Sequence, residues 1–133
     1  LQVLLIEKQR PDWQRGRLNG IGGKIEDHEE SLACIVREVM EETALDTNRE
    51  QWAHIGNMSG SDWHVDIYSH IYAGNLEDAK TMTDENISWH EVADLPAHIL
   101  SNLPWLIHLA IDKLKHQYVR DIKVFYNDEA VNT

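Results

Sequence analysis

The sequence predicts one α/β domain, a mixed β-sheet with helices packed on it, in the order strand, loop, helix, strands, helix, strand. Three stretches carry that prediction. Residues 1–7, Leu-Gln-Val-Leu-Leu-Ile-Glu, form a short apolar run suited to a buried strand. Residues 31–42 repeat apolar side chains at helical spacing. Residues 51–59 and 63–73 flank the turn Gly60-Ser61-Asp62 and read as a β-hairpin.

The elements follow in order. Residues 8–17 make a polar turn region with Pro11, Asp12 and Gly16. It holds Lys8, Arg10, Arg15 and Arg17, four of the chain's twelve bases, and that clustering points one or two of them at an anion. Residues 18–26 contain Gly20, Gly22 and Gly23, and glycine lets a backbone approach a ligand closely. The Gly-Lys-Ser/Thr ending of a P-loop is absent. Asp27 and Glu30 have capping-box spacing, and a helix is expected from there to about residue 42.

On that helix Leu32, Ile35, Val36, Val39 and Thr43 share one side. Glu38, Glu41 and Glu42 fall on the other. After a loop come the hairpin strands. Trp63, Val65 and Ile67 are expected on one face, with His64, Asp66 and Tyr68 on the other. Residues 75–86 form an acidic, turn-rich connection, and 87–92 a short strand. Leu95-Pro96 ends that strand and introduces a short helical segment. Pro104 suits a first helical position, and the helix to about 116 has a mostly apolar face for packing on a sheet. Residues 119–126 alternate and read as a last strand.

A chain of 133 residues favours one domain spanning 1–133. It starts at Leu1 inside an apolar run, so an earlier strand is expected to be missing. There are 23 acids against 12 bases, a net charge of −11. That balance disfavours a broad basic surface for polymeric nucleic acid or an anionic membrane. A small anionic ligand still fits, because a metal ion or a few local cations reverse the field within one cleft. Cys34 stands alone, so no internal disulfide forms, and it is expected to be a small buried filler. With no signal peptide and no long apolar run, the reading is cytoplasmic. The eight histidines show no ligand spacing and receive no metal role.

Glu38, Glu41 and Glu42 carry the chemistry. Carboxylates at i, i+3 and i+4 repel one another on a helix, and a divalent cation would offset that repulsion. Magnesium prefers oxygen ligands, and magnesium can screen phosphates and ionise a water for attack. The Gly22 carbonyl could add a ligand if the glycine loop folds over the helix. Lys24 could hold a phosphate, and Arg37 could orient a neighbouring carboxylate.

The spacing of Gly23, Glu29 and Arg37-Glu38-Val39-Met40-Glu41-Glu42-Thr43-Ala44-Leu45 resembles the signature box of the Nudix hydrolase superfamily. Every specified position matches except Ala44, where the family has glycine. Residues 16–24, Gly-Arg-Leu-Asn-Gly-Ile-Gly-Gly-Lys, also resemble the branch that hydrolyses oxidised-purine nucleoside triphosphates. The stretch 89–96 is similar to the late strand and Leu-Pro turn of many members.

The resemblance implies an α/β/α sandwich with a mixed sheet and a loop–helix–loop catalytic motif. It implies that Glu38, Glu41 and Glu42 ligate magnesium or manganese, with the Gly22 carbonyl assisting. Glu29 and Arg37 would tie the motif together beside Gly23. Lys24 would face the phosphates together with Arg17. Glu85 is the best candidate for a late-loop metal ligand or base, the base otherwise being one of the box acids such as Glu38 or Glu41. Asn19 and Asn102 are expected near the base. The reaction implied is hydrolysis of a nucleoside triphosphate, normal or oxidised, to the monophosphate and pyrophosphate. ADP-ribose, a dinucleotide or a pterin triphosphate are alternative substrates, and a silent nucleotide sensor is an alternative role. Where Ala44 replaces glycine, the helix is expected to end differently, with Asn48 taking part.

Overall fold

Successive residues of a strand point to opposite faces. Leu5 and Ile6 are each only 1% exposed, so strand β1 (Gln2–Glu7) is covered on both sides. That is the arrangement of a three-layered α/β sandwich. The computed structural model describes residues 1–23, 25–116 and 120–127.

Along the chain, β1 is followed by β2 (Leu18–Asn19), α1 (Ser31–Thr43), β3 (Trp52–Ser59) and β4 (His64–His70). Then come β5 (Ile87–Glu91), α2 (Leu103–Lys115) and β6 (Ile122–Phe125). The strands form two three-stranded sheets, β2-β1-β5 and β4-β3-β6. The first is antiparallel throughout. The second is mixed: β3 pairs antiparallel with β4 and parallel with β6. A parallel bridge between Leu18 and Ile99 extends the edge of the first sheet.

Helix α2 joins the two sheets. It buries Leu103, Leu106 and Ile107 in one cluster with Leu5 and Leu18 of the first sheet and Met58 of the second. Pro104 stands in its first turn, where a missing N–H does no harm. Helix α1 buries Cys34, Val39 and Thr43, none of them in that cluster. Thr43 returns its hydroxyl to the Val39 carbonyl at 2.6 Å, so this polar side chain is fully satisfied inside.

Some local expectations change. No capping box forms: Glu30 is the N-cap, with extended backbone and no side-chain cap bond. The Glu29 carboxylate instead accepts from the Glu26 N–H at 3.0 Å, which folds a turn ahead of the helix. The short helical segment is a 3-10 turn at Val92–Asp94, before Pro96 rather than after it. Leu32, Ile35 and Val36 are only half-buried, while Cys34 is buried, as expected of a small filler. Helix α1 does not end differently for want of glycine. Ala44 itself takes the left-handed conformation, φ 63° and ψ 9°, and its N–H bonds the Met40 carbonyl. The last strand is observed at Ile122–Phe125, and Val119 lies outside the described residues.

Candidate active site

Three segments meet at the carboxylates of α1. The first is the glycine loop. A Cβ placed on Gly23 would overlap the carboxyl carbon and both oxygens of Glu38, so the loop backbone lies directly against that side chain. Only glycine permits that approach. Gly20 and Gly22 meet nothing within 4 Å of such a Cβ. Lys24 lies outside the described residues.

The second segment is α1 itself, where Arg37 organises the acids. Its Nε donates to Glu29 Oε2 at 2.8 Å and its Nη2 to Glu29 Oε1 at 3.0 Å, a bidentate pair. Its Nη1 donates to Glu38 at 2.9 Å and to Glu41 at 3.1 Å. One guanidinium therefore offsets part of the repulsion that the glutamate spacing creates. It also holds the Glu29 carboxyl down to about 2, aided by the bond from the Glu26 backbone. A cleft of about 620 Å³ opens here, lined by Ile25, Glu26, Asp27, Arg37, Glu38 and Glu41. That volume suits a small molecule.

The third segment brings Glu85, only 5% exposed. Lys80 N–H donates to the Thr43 carbonyl at 2.8 Å and Met82 N–H to the Glu42 carbonyl at 3.4 Å. These bonds strap the connection before β5 to the end of α1. Glu85 accepts from the Lys8 ammonium at 3.3 Å and from the Gln9 N–H at 2.6 Å. Burial pushes its carboxyl up, but those donors outweigh burial and hold it below its ordinary value. Arg10 pairs with the adjacent Asp84.

Glu42 is different. Burial pushes its carboxyl up to about 7, and the charges of Glu38, Glu85 and Glu41 push the same way. Lys8 pulls it down. Its Oε2 is buried with no hydrogen-bond partner among the described residues. A buried carboxylate oxygen without a donor is costly unless a cation supplies the missing partner. The donors here are hard carboxylate oxygens, the chemistry that magnesium or manganese takes. Among the described residues no three acidic, histidine or cysteine side chains already converge on one point. Arg37 occupies an oxygen of each of Glu38 and Glu41.

The remaining residues named from the sequence make the following contacts. Arg17 is exposed. Asn19 bonds Gln14 at 3.1 Å and the Gly20 N–H at 2.8 Å. Asn102 opens α2, with its Nδ2 3.7 Å from the Met58 sulfur and its Oδ1 buried without a partner among the described residues. Lys8 and Gln9 were not singled out as partners of Glu85. The signal for them is register: Ile6 faces Ile87 and the Glu7 N–H bonds the Asn86 carbonyl, so the next cross-strand neighbours are Lys8 and Glu85.

The acids of one helix thus lie under a glycine loop beside a covered sheet. The family model described as NUDIX domain matches residues 1–109, and the chain belongs to the Nudix family. No curated protein matches the chain. The fold is similar to that of a solved MutT from a structure and function study of Aliivibrio salmonicida and Vibrio cholerae. That chain is 18% identical, with a TM-score of 0.62, over 84% of this chain and 86% of the other. A MutT NUDIX hydrolase from Burkholderia pseudomallei is 21% identical, with a TM-score of 0.64, over 81% and 85%. A MutT/nudix family protein from Enterococcus faecalis is 21% identical, with a TM-score of 0.61, over 86% and 57%. No helix among the described residues is long and apolar enough to cross a membrane.

Proposed function

We propose that this Nudix hydrolase cleaves a nucleoside triphosphate, normal or oxidised, to the monophosphate and pyrophosphate, using magnesium or manganese. The observation that carries the reading is the buried oxygen of Glu42, without a partner among the described residues, together with three further carboxylates, Glu38, Glu41 and Glu85. Those four acids, with the Gly22 carbonyl, are the residues that would hold the ion. A bound divalent ion supplies charge screening on the phosphates and a more acidic water.

The chain's own residues do the rest. Arg37 orients Glu38 and Glu41 through its bonds to both. One carboxylate of Glu38, Glu41 and Glu85 accepts the proton of the water that attacks phosphorus. Lys24 and Arg17 bind phosphate oxygens, and Asn19 and Asn102 bind the base. The two MutT structures support the triphosphate reading at the level of fold.

The test is a panel of normal and oxidised nucleoside triphosphates, ADP-ribose and dinucleotides, assayed for pyrophosphate and phosphate release with magnesium. Pyrophosphate is expected from a triphosphate, with loss of at least ~100-fold in the Glu41→Gln protein or with chelator present. Turnover confined to ADP-ribose or a dinucleotide would replace the substrate assignment. Full activity in Glu41→Gln would overturn the metal assignment.

A further inference from the structure

We infer that Lys8 is a positioning residue of the reaction: an ammonium just past the end of β1 that fixes Glu85, whose segment is strapped to the end of α1. The inference rests on the reading of Glu85 as a member of the site.

The placement follows from the strand. Leu5 packs in the cluster of α2 and Ile6 is buried on the other face of β1, and Lys8 follows directly after the strand. The Lys8 backbone is pinned twice, its N–H to the Arg17 carbonyl at 2.9 Å and its carbonyl to the Gly16 N–H at 2.8 Å. The ammonium therefore starts from a fixed point, and its side chain is 17% exposed. It meets Glu85 Oε1 at 3.3 Å. The other oxygen of Glu85 is taken by the Gln9 N–H at 2.6 Å, with Arg10 3.8 Å away.

A buried carboxylate such as Glu85 needs a cation to stay charged beside other acids. Lys8 is that cation on the sheet side, as Arg37 is for Glu38 and Glu41 on the cleft side. Without it Glu85 keeps the Gln9 N–H and the exposed Arg10 guanidinium 3.8 Å away, but Oε1 loses its ammonium partner. Its carboxylate is then free to turn outward, and the site loses one anionic donor.

The experiment is a double-mutant cycle of Lys8→Met and Glu85→Gln in the full chain. Two quantities are read: binding of Mn2+ alone to the free protein, and kcat and KM for dGTP with magnesium. Lys8→Met is expected to weaken Mn2+ binding and lower kcat, each by roughly 10–100-fold, with KM changed by less than about threefold. Lys8→Arg, which keeps the charge, should restore most of both. In the Glu85→Gln background Lys8→Met should change neither quantity further.

Losses that multiply in the double variant, or a change confined to KM, would overturn the proposal, because Lys8 would then act on the nucleotide directly. If Glu85→Gln alone leaves Mn2+ binding and kcat intact, the placement of Glu85 fails first and the proposal goes with it. If Lys8→Met does not fold, Lys8→Gln takes its place in the cycle. The double variant should then be the more stable of the two, since it leaves no unpaired buried charge.

Discussion

Ala44 holds a backbone conformation that favours glycine. Its φ of 63° places the Cβ against the following carbonyl, a strain of roughly 1–2 kcal/mol for an L-residue. It tolerates this because the helix end is anchored on both sides. Ala44 N–H bonds Met40, and the Leu45 N–H bonds the buried Thr43 hydroxyl at 3.1 Å. Ala44→Gly relieves the strain but loosens the unfolded chain. The net result should be a gain of about 0.5–1 kcal/mol, read as a higher urea midpoint at unchanged slope. An unchanged or lower midpoint would mean that the left-handed turn carries no strain. The deviation from the motif was visible in the sequence. Its structural consequence was not, because which residue absorbs a helix stop depends on how the next segment packs, here Leu45 into the interior.

The loop–helix unit shows what spacing can and cannot tell. Glu38, Glu41 and Glu42 were legible as one charged face, because i, i+3 and i+4 force them together. That Arg37 spreads itself over Glu29, Glu38 and Glu41 was not legible, because it depends on where the loop returns. The tie has a pH signature. Glu29 is held at about 2 against an ordinary 4.5 by Arg37 and the Glu26 N–H. A depressed carboxyl stabilises the fold fully above its unfolded value and stops doing so as pH falls through its folded value. The stability difference between the native chain and Glu29→Gln should therefore be complete near neutrality. It should shrink below about 4.5 and vanish near about 2. Urea melts of both proteins across that window check this, and a gap that persists unchanged to the acid end would rule the tie out as its source.

At the scale of the whole molecule, the layers were legible and the strand partners were not. Period-2 and period-3.6 patterns announce strands and helices wherever they occur. They carry no record of which strand lies beside which. The parallel pairing of β6 with β3 joins residues 56–59 to residues 122–125 across the length of α2, and nothing local encodes it. Its trace is one residue, Gly56, which sits where the β3–β4 register shifts next to His54. A Cβ there would overlap the Ile122 carbonyl oxygen, which is backbone and cannot turn aside. The same edge is held from α2, where the Lys113 ammonium donates to the His54 carbonyl at 2.6 Å and pairs with Asp121. Asp121 in turn meets His54 Nδ1 at 2.6 Å. Gly56→Ala must therefore either part β6 from β3 or drag this network with it, and a loss of roughly 2–4 kcal/mol is expected. Gly20→Ala, whose added Cβ meets nothing within 4 Å, should lie within about 0.5 kcal/mol of the native chain. Amide exchange at Met58 and Val124 separates the two ways in which Gly56→Ala could fail. Loss of protection there before global unfolding means that β6 has detached while the two-sheet core under α2 persists. Loss only with global unfolding means that the β3–β6 pairing and that core form one cooperative unit.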